Sequence, residues 1–125
     1  MTRILIIEDE RQVREVLKQI LEKAGYEVDT AEDGRTGVEQ FRRCPAELVI
    51  TDILMPNKNG LETIEELIGL NPELPMIAIS GGGPGEKAQF ALDVAKMCGA
   101  MRVLAKPFSR KEILETITEI LNPKG

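Results

Sequence analysis

Short aliphatic and β-branched runs alternate along the chain with longer segments whose apolar positions recur at helical spacing. Arg3–Ile7 is the first such run, and continuous apolar character over this length is typical of a strand buried on both faces. Residues 10–24 follow, with apolar side chains at the i, i+3, i+4, i+7 and i+8 spacing of one helix face. These side chains are Val13, Val16, Leu17, Ile20 and Leu21. The chain therefore opens with a predicted strand and a predicted amphipathic helix.

The same strand–helix pattern repeats until the chain ends. The remaining predicted strands are residues 27–30, 47–51, 76–79 and 101–104, and the remaining predicted helices are residues 35–43, a segment through Leu61 and Ile68, residues 86–97 and residues 109–121. Ser109 and Glu112 fit a capping box at the start of the last helix. Five apolar strands, each followed by a helix, predict a parallel sheet covered on both faces, a doubly wound (βα)5 α/β sandwich. We expect one domain over residues 1–122, with residues 123–125 as a tail or the start of a linker.

The composition of the chain excludes several classes of active site and binding partner. Of 125 residues, 42% are apolar and 30% are charged, as in an ordinary globular domain. Acidic residues outnumber basic ones by 21 to 16, giving a net charge of −5, which argues against direct nucleic-acid binding. The chain has no histidine, so it can form neither a Ser-His-Asp triad nor a histidine-based zinc site.

Two cysteines, Cys44 and Cys98, form no disulfide framework, and we expect reduced thiols in a cytoplasmic protein. No secretory signal pattern opens the chain, and its early apolar run is far shorter than the ~20 residues of a membrane span. The remaining chemistry belongs to carboxylates, hydroxyls, lysines and an oxygen-preferring metal ion.

Polar side chains cluster directly after the predicted strands. They are Glu8, Asp9 and Glu10 after the first strand, Asp52 after the third, Ser80 after the fourth and Lys106 after the fifth. In a doubly wound sheet, the carboxyl ends of the strands form the ligand crevice. An all-oxygen ligand set favours Mg²⁺, with Mn²⁺ as the alternative. A carboxylate nucleophile beside a metal ion and a lysine indicates phosphoryl transfer to an aspartate.

Simpler interpretations exist for single residues, since Asp9 or Glu10 could only cap a helix and Ser80 could only begin a turn. Competing motifs fit poorly. The glycine-rich residues 81–87 have the wrong order for a phosphate-binding loop, and the loose dinucleotide pattern there follows the fourth strand. A calcium loop would need an acid where Met55 stands. An aspartate-nucleophile phosphatase would want an acid at Leu54, and it stays open as an alternative.

The chain resembles the receiver domain of bacterial two-component response regulators along nearly its whole length. The resemblance rests on the acidic residues after the first strand, on the Ser80 position, and on two short motifs, Asp52-Ile53-Leu54-Met55-Pro56 with Gly60 and Lys106-Pro107-Phe108. It implies a flavodoxin-like strand order of 2-1-3-4-5. It also implies a signalling phosphoacceptor rather than an enzyme.

For individual residues, the resemblance implies that Asp52 accepts a phosphoryl group from the phosphohistidine of a sensor histidine kinase or a phosphotransfer protein. Glu8, Asp9, Asp52 and the backbone carbonyl of Leu54 would bind Mg²⁺. Lys106 and Ser80 would contact the phosphoryl group, and the Lys106–Pro107 peptide bond would be cis.

Partner binding is also implied by the resemblance. Phosphorylation would change binding to an output partner, or self-association, through the face formed by the fourth helix, fifth strand and fifth helix. The kinase side would be engaged by the first helix, around Val13, Arg14 and Leu17.

Two positions bear on switching and on phosphoryl lifetime. Val103 stands where the family usually has an aromatic switch residue, so a receiver-like scaffold that dimerises without phosphorylation stays open. Gly82 and Leu54 occupy positions that set phosphoryl lifetime in the family, with opposing expected effects.

Overall fold

The computed structural model describes residues 2–53, 60–80, 93 and 102–122. In chain order its elements are β1 (Arg3–Ile7), α1 (Arg11–Lys23), β2 (Glu27–Ala31), α2 (Gly34–Arg43), β3 (Leu48–Asp52), α3 (Gly60–Leu70), β4 (Met76–Ser80), β5 (Arg102–Ala105) and α4 (Arg110–Leu121). The predicted helix over residues 86–97 lies outside the described residues except for Asp93, and the tail 123–125 lies outside them too. The helix labelled α4 here is therefore the last of the predicted helices.

All strand pairs in the sheet are parallel, in the order β2-β1-β3-β4-β5. This confirms the predicted parallel sheet and the strand order implied by the resemblance. Because β1 and β3 are neighbours at the centre, their carboxyl ends lie side by side. The register places Ile7 opposite Thr51 and Asp52 opposite Ile79.

The sheet buries a separate apolar cluster on each face, as a doubly wound fold requires. Alternate residues of β1 point to opposite faces: Leu5 and Ile7 join side chains of α2 and α3, whereas Ile4 and Ile6 join side chains of α1 and α4. All four of these β1 residues are at most 1% exposed. The central strands are thus fixed from both sides, which gives their carboxyl ends a rigid base.

Strand β3 ends one residue later than its sequence predicts. The apolar run predicts a strand that ends at Thr51, with Asp52 in the following loop, but Asp52 is the last residue of the strand. The ladder to β4 continues past it, since the amide of Ile53 donates a 2.8 Å hydrogen bond to the carbonyl of Ile79. Strand β4 likewise extends by one residue to Ser80. Both residues are therefore held by the sheet itself.

Helix α1 does not bury its whole apolar stripe. Leu17 and Leu21 are at most 1% exposed, but Val16 is 55% exposed, contrary to the inward orientation that the spacing predicts. The stripe is wider than the contact with the sheet, so Val16 falls at its edge and faces the groove between α1 and α4.

The start of α4 confirms the predicted capping box. The amide of Glu112 donates to Ser109 Oγ at 3.0 Å, and the Ser109 amide donates to Glu112 Oε1 at 2.9 Å. Cys44 is a free thiol, and Cys98 lies outside the described residues. Within the part of the chain that the structure describes, no helix combines the length and apolarity needed to cross a bilayer.

Helix α2 packs against β1 through a glycine, which yields a stability prediction. A Cβ at Gly37 would lie 2.7 Å from Ile7 Cγ1 and would also meet Ile7 Cδ1. We expect Gly37→Ala to lower the free energy of unfolding by roughly 1–3 kcal/mol, because buried Ile7 must shift. Chemical denaturation measures the change.

The matched control is Gly69→Ala in α3, where an added Cβ meets nothing within 4 Å. That variant should gain up to about 1 kcal/mol from improved helix propensity. Equal effects of the two substitutions would contradict the described packing of α2 on β1.

Candidate functional site

Three charged side chains meet at the carboxyl edge of the sheet. Glu8 directly follows β1, Asp52 ends β3, and Lys106 directly follows β5. Glu8 is fully buried and Asp52 is 3% exposed. The parallel topology brings together residues that are far apart in sequence, and the geometry confirms the expected convergence.

The ammonium of Lys106 lies between the two buried carboxylates. Lys106 Nζ is 2.8 Å from Glu8 Oε1 and 2.9 Å from Asp52 Oδ2. The exposed carboxylate of Glu10 is more distant, with Oε1 at 3.6 Å from Nζ. Among the described residues, the Lys106 side chain, 14% exposed, is the cation that contacts both buried acids.

Glu8 is the most perturbed acid of this cluster. Burial disfavours its charged form, and the nearby Asp52 charge adds to that effect, whereas the Lys106 contact opposes it. The net result raises the pKa of Glu8 from an ordinary 4.5 to about 7. Its second oxygen, Oε2, accepts a 3.2 Å hydrogen bond from the amide of Glu10.

For the pKa of Lys106, the neighbouring charges outweigh burial. Burial alone lowers the pKa of its ammonium, but the close carboxylates of Glu8 and Asp52, the second of which accepts a hydrogen bond from it, outweigh burial and raise that pKa above its ordinary value. Lys106 is therefore a permanent cation at neutral pH.

The turn between β1 and α1 carries the remaining acids. Asp9 is exposed, and Glu10 is the N-cap residue of α1 without a side-chain capping bond. Glu10 therefore occupies the N-cap position, as the helix-cap interpretation predicts, but its side chain does not cap the helix. The sequence also gave no sign that Arg14 Nη1 donates a 2.8 Å hydrogen bond to the backbone carbonyl of Glu8.

The acidic group has the composition and spacing of a divalent-cation site. Glu8, Asp9 and Asp52 each offer a carboxylate oxygen within 4.8 Å of the others. The buried Oε1 of Glu8 has the Lys106 ammonium beside it but accepts no hydrogen bond within the described part of the chain. An all-carboxylate set with one poorly satisfied buried oxygen suits a hard cation, so this group could hold a metal ion.

Other predicted site positions are described in part. Ser80 ends β4 opposite Ala105, one residue before Lys106, and its side chain lies outside the described atoms, as do Leu54 and Gly82. The Lys106–Pro107 bond is cis, as the resemblance implies. Val103 is half-buried and packs on the cluster that includes Ile64 and Leu67 of α3.

An apolar groove of about 510 Å³ lies beside Lys106, between α1 and α4. Its apolar lining comes from both helices and from the segment that joins β5 to α4: Val13, Val16, Leu17, Ile20, Pro107, Phe108 and Ile113. Leu17 forms the floor, since it is 1% exposed. The groove and the acidic cluster therefore share one rim.

Comparisons with known proteins match nearly the whole chain. A family model described as the response regulator receiver domain matches residues 4–118. The chemotaxis protein CheY of Thermotoga maritima is 34% identical over 119 residues, which cover 94% of this chain and 96% of that protein. The DNA-binding transcriptional regulator NtrC of Azospirillum brasilense is 33% identical, over 95% of this chain and 24% of its own length. A crystal structure of a receiver domain protein from Clostridium thermocellum superposes with a TM-score of 0.89 at 28% identity, covering 99% of this chain and 97% of that one.

The raised pKa of Glu8 predicts how stability depends on pH in metal-free protein. Since the pKa of Glu8 rises from 4.5 to about 7 on folding, the native state binds a proton more tightly than the unfolded chain. This tighter proton binding stabilises the native state. The stabilisation is fully present below about pH 4.5 and is lost as the pH rises through about 7. Glu8→Gln should therefore be more stable than wild type by roughly 1–3 kcal/mol at pH 8 and nearly equal to it at pH 4.5.

Chemical denaturation in EDTA at both pH values measures the difference. Glu22→Gln, an exposed substitution on α1, serves as the control and should track wild type throughout. A Glu8→Gln variant less stable than wild type at pH 8 would show that the ion pair with Lys106 outweighs the burial of Glu8.

Proposed function

Because the chain belongs to the response regulator receiver domain family, we propose that it is a phosphorylation-dependent signalling switch whose phosphoacceptor is Asp52. The observation that carries the proposal is the buried Asp52 carboxylate, fixed at the end of a central strand with Lys106 Nζ 2.9 Å from its Oδ2. Residues 1–122 would form the receiver unit, and residues 123–125 would be a tail or the start of a linker.

Asp52 would act as the nucleophile. A carboxylate oxygen attacks the phosphorus of a phosphohistidine on a sensor kinase or phosphotransfer protein, the P–N bond breaks, and the imidazole leaves with the electron pair. The product is an acyl phosphate on Asp52. Because the donor supplies the histidine, the absence of histidine from this chain does not obstruct the reaction. Because Asp52 is held at the end of a buried strand, its carboxylate would be positioned for in-line attack.

Lys106 would neutralise charge on the phosphoryl group. Its ammonium already lies within hydrogen-bond distance of Asp52, and its raised pKa keeps it charged throughout the transfer. As the phosphoryl oxygens approach, Nζ can exchange its contact with Asp52 Oδ2 for one of them. Such preorganised charge is the main source of catalysis in phosphoryl transfer.

Mg²⁺, or Mn²⁺ in its place, would supply charge neutralisation and a template for the phosphoryl oxygens. Glu8, Asp9 and Asp52 fit this group by their spacing, and the backbone carbonyl of Leu54 would complete the protein ligands. Glu8 sits deepest and Asp9 is exposed, so Asp9 would be the more direct ligand and Glu8 would act partly through water.

Phosphorylation would be transmitted through β4 and β5. Ser80 ends β4 next to the strand that leads into Lys106, so a hydrogen bond from its hydroxyl to the phosphoryl group would couple the two loops. The output face would consist of the predicted helix over residues 86–97, strand β5 and the last helix, α4. This face would bind an output partner or a second copy of the chain. Val103 offers no aromatic ring at this face, so we propose that backbone and loop movement carries the signal.

The kinase or phosphotransfer partner would dock in the groove between α1 and α4. Apolar Val13 and Val16 line this groove and Lys106 stands at its rim, so a helix seated there would bring its histidine to Asp52. Leu17 would support the floor of the groove from within the core rather than contact the partner directly, which refines the first-helix surface expected from the sequence.

Incubation with Mg²⁺ and acetyl phosphate tests the phosphoacceptor. Wild type should gain the mass of one phosphoryl group, and Asp52→Asn, which removes the nucleophile but keeps the shape, should gain none. Excess EDTA should abolish the gain in wild type, because the acidic cluster would lose its cation. Intact-protein mass spectrometry gives the readout.

Asp29→Asn is the matched control, because this carboxylate pairs with Arg3 on the neighbouring strand and should leave the mass gain unchanged. A gain in Asp52→Asn equal to wild type would assign the phosphate elsewhere. No gain in wild type, with a donor that phosphorylates another receiver domain, would favour a scaffold that does not accept phosphate.

A further inference from the structure

We propose that Arg14 is a positioning residue of the metal site, which holds the peptide unit that carries Asp9. The inference rests on the proposed divalent-cation site at Glu8, Asp9 and Asp52. In this role Arg14 touches neither the cation nor the phosphoryl group and acts through the backbone.

The hydrogen bonds of the β1–α1 turn show how Arg14 could act. The Glu8 amide donates to the carbonyl of Ala31 at 3.0 Å, which is the last contact of the β1 ladder toward β2. The Glu8 carbonyl instead accepts from Arg14 Nη1 at 2.8 Å. Since the Glu8 carbonyl and the Asp9 amide belong to one planar peptide unit, a bond that fixes the carbonyl also fixes the direction in which the chain enters Asp9.

Asp9 depends on its backbone for orientation. Its carboxylate is exposed, and within the described part of the chain it makes no side-chain hydrogen bond or ion pair of its own. Glu8 and Asp52, by contrast, are held by Lys106. Of the three acids, Asp9 is thus the one whose distance from the others would change most if the peptide rotated.

Arg14 is itself well anchored for this task. It is half-buried on the first turns of α1, and its amide donates a 3.0 Å helical bond to the carbonyl of Glu10. The side chain therefore ties the helix to the end of β1, with the acidic turn enclosed between the two attachment points. Outer groups that orient metal ligands commonly change metal affinity by tenfold or more.

Removing Arg14 would change the Mg²⁺ affinity in opposite directions, depending on whether Arg14 acts through its charge or through its positioning bond. Arg14 brings a positive charge close to a site for a divalent cation, so removing that charge alone should tighten Mg²⁺ binding. Loss of a positioning bond should weaken it. The sign of the change in affinity therefore distinguishes the two roles.

The test is Mg²⁺ titration of full-length wild type, Arg14→Met, Arg14→Lys and Arg11→Met by isothermal calorimetry. Methionine keeps the apolar stem and removes the donor, so the Mg²⁺ dissociation constant of Arg14→Met should rise roughly tenfold. Lysine keeps the charge and an N–H donor group but not the guanidinium geometry, and it should give a smaller rise of about threefold. Arg11 is exposed at the start of α1, and Arg11→Met should change the constant by less than about twofold.

Thermal unfolding in EDTA runs beside the titrations. If Arg14→Met lowers the unfolding midpoint but binds Mg²⁺ as wild type does, Arg14 only stabilises the fold and the positioning role is overturned. Tighter binding by Arg14→Met would also overturn it, in favour of a charge effect. If wild type itself fails to bind Mg²⁺, both the proposed metal site and the role of Arg14 are overturned. If wild type binds Mg²⁺ and Arg14→Met binds it equally well, only the role of Arg14 is overturned.

Discussion

The ammonium of Lys106, held between Glu8 and Asp52, is the contact on which the site depends. Neighbouring parallel strands force two carboxylates together at an edge where both are buried. One ammonium offsets only one of these two negative charges, so the cluster retains an excess negative charge. Burial, with this excess charge adding to it, raises the pKa of Glu8. The excess charge, with Asp9 close by, suits the cluster to a divalent cation.

The fold supplies this arrangement through its strand order. Because β1 and β3 are adjacent in the order β2-β1-β3-β4-β5, Glu8 and Asp52 are close before any side chain contributes. Most of this architecture could be predicted, since the buried strands are continuous apolar runs and the helices carry regular stripes. The strand ends could not, because charged Asp52 is typical of a loop, whereas here it belongs to the ladder that pairs it with Ile79.

The sequence predicts which residues form the candidate site better than it predicts their burial and contacts. The polar residues after apolar runs predict that Glu8, Asp52 and Lys106 belong to the site. A glutamate at such a position is, however, usually expected to be solvent-exposed. Glu8 is instead fully buried, directly after the central strand β1. The exposure of Val16 and the Arg14 bond depend on how α1 rotates against the sheet and α4. The spacing of apolar residues defines an apolar stripe on a helix, but it does not determine how the helix is rotated about its axis against its neighbours.

In the proposed switch, Asp52 is the acceptor and Lys106 is the cation that receives the phosphoryl oxygens. A crystal structure with Mg²⁺ and beryllofluoride, a stable mimic of the phosphoryl group, tests both parts at once. We expect the mimic to be bonded to an Asp52 oxygen, with Lys106 Nζ about 3 Å from one fluorine. Beryllofluoride bound at another side chain, or bound at Asp52 with Lys106 still on Glu8 and far from every fluorine, would contradict this proposal.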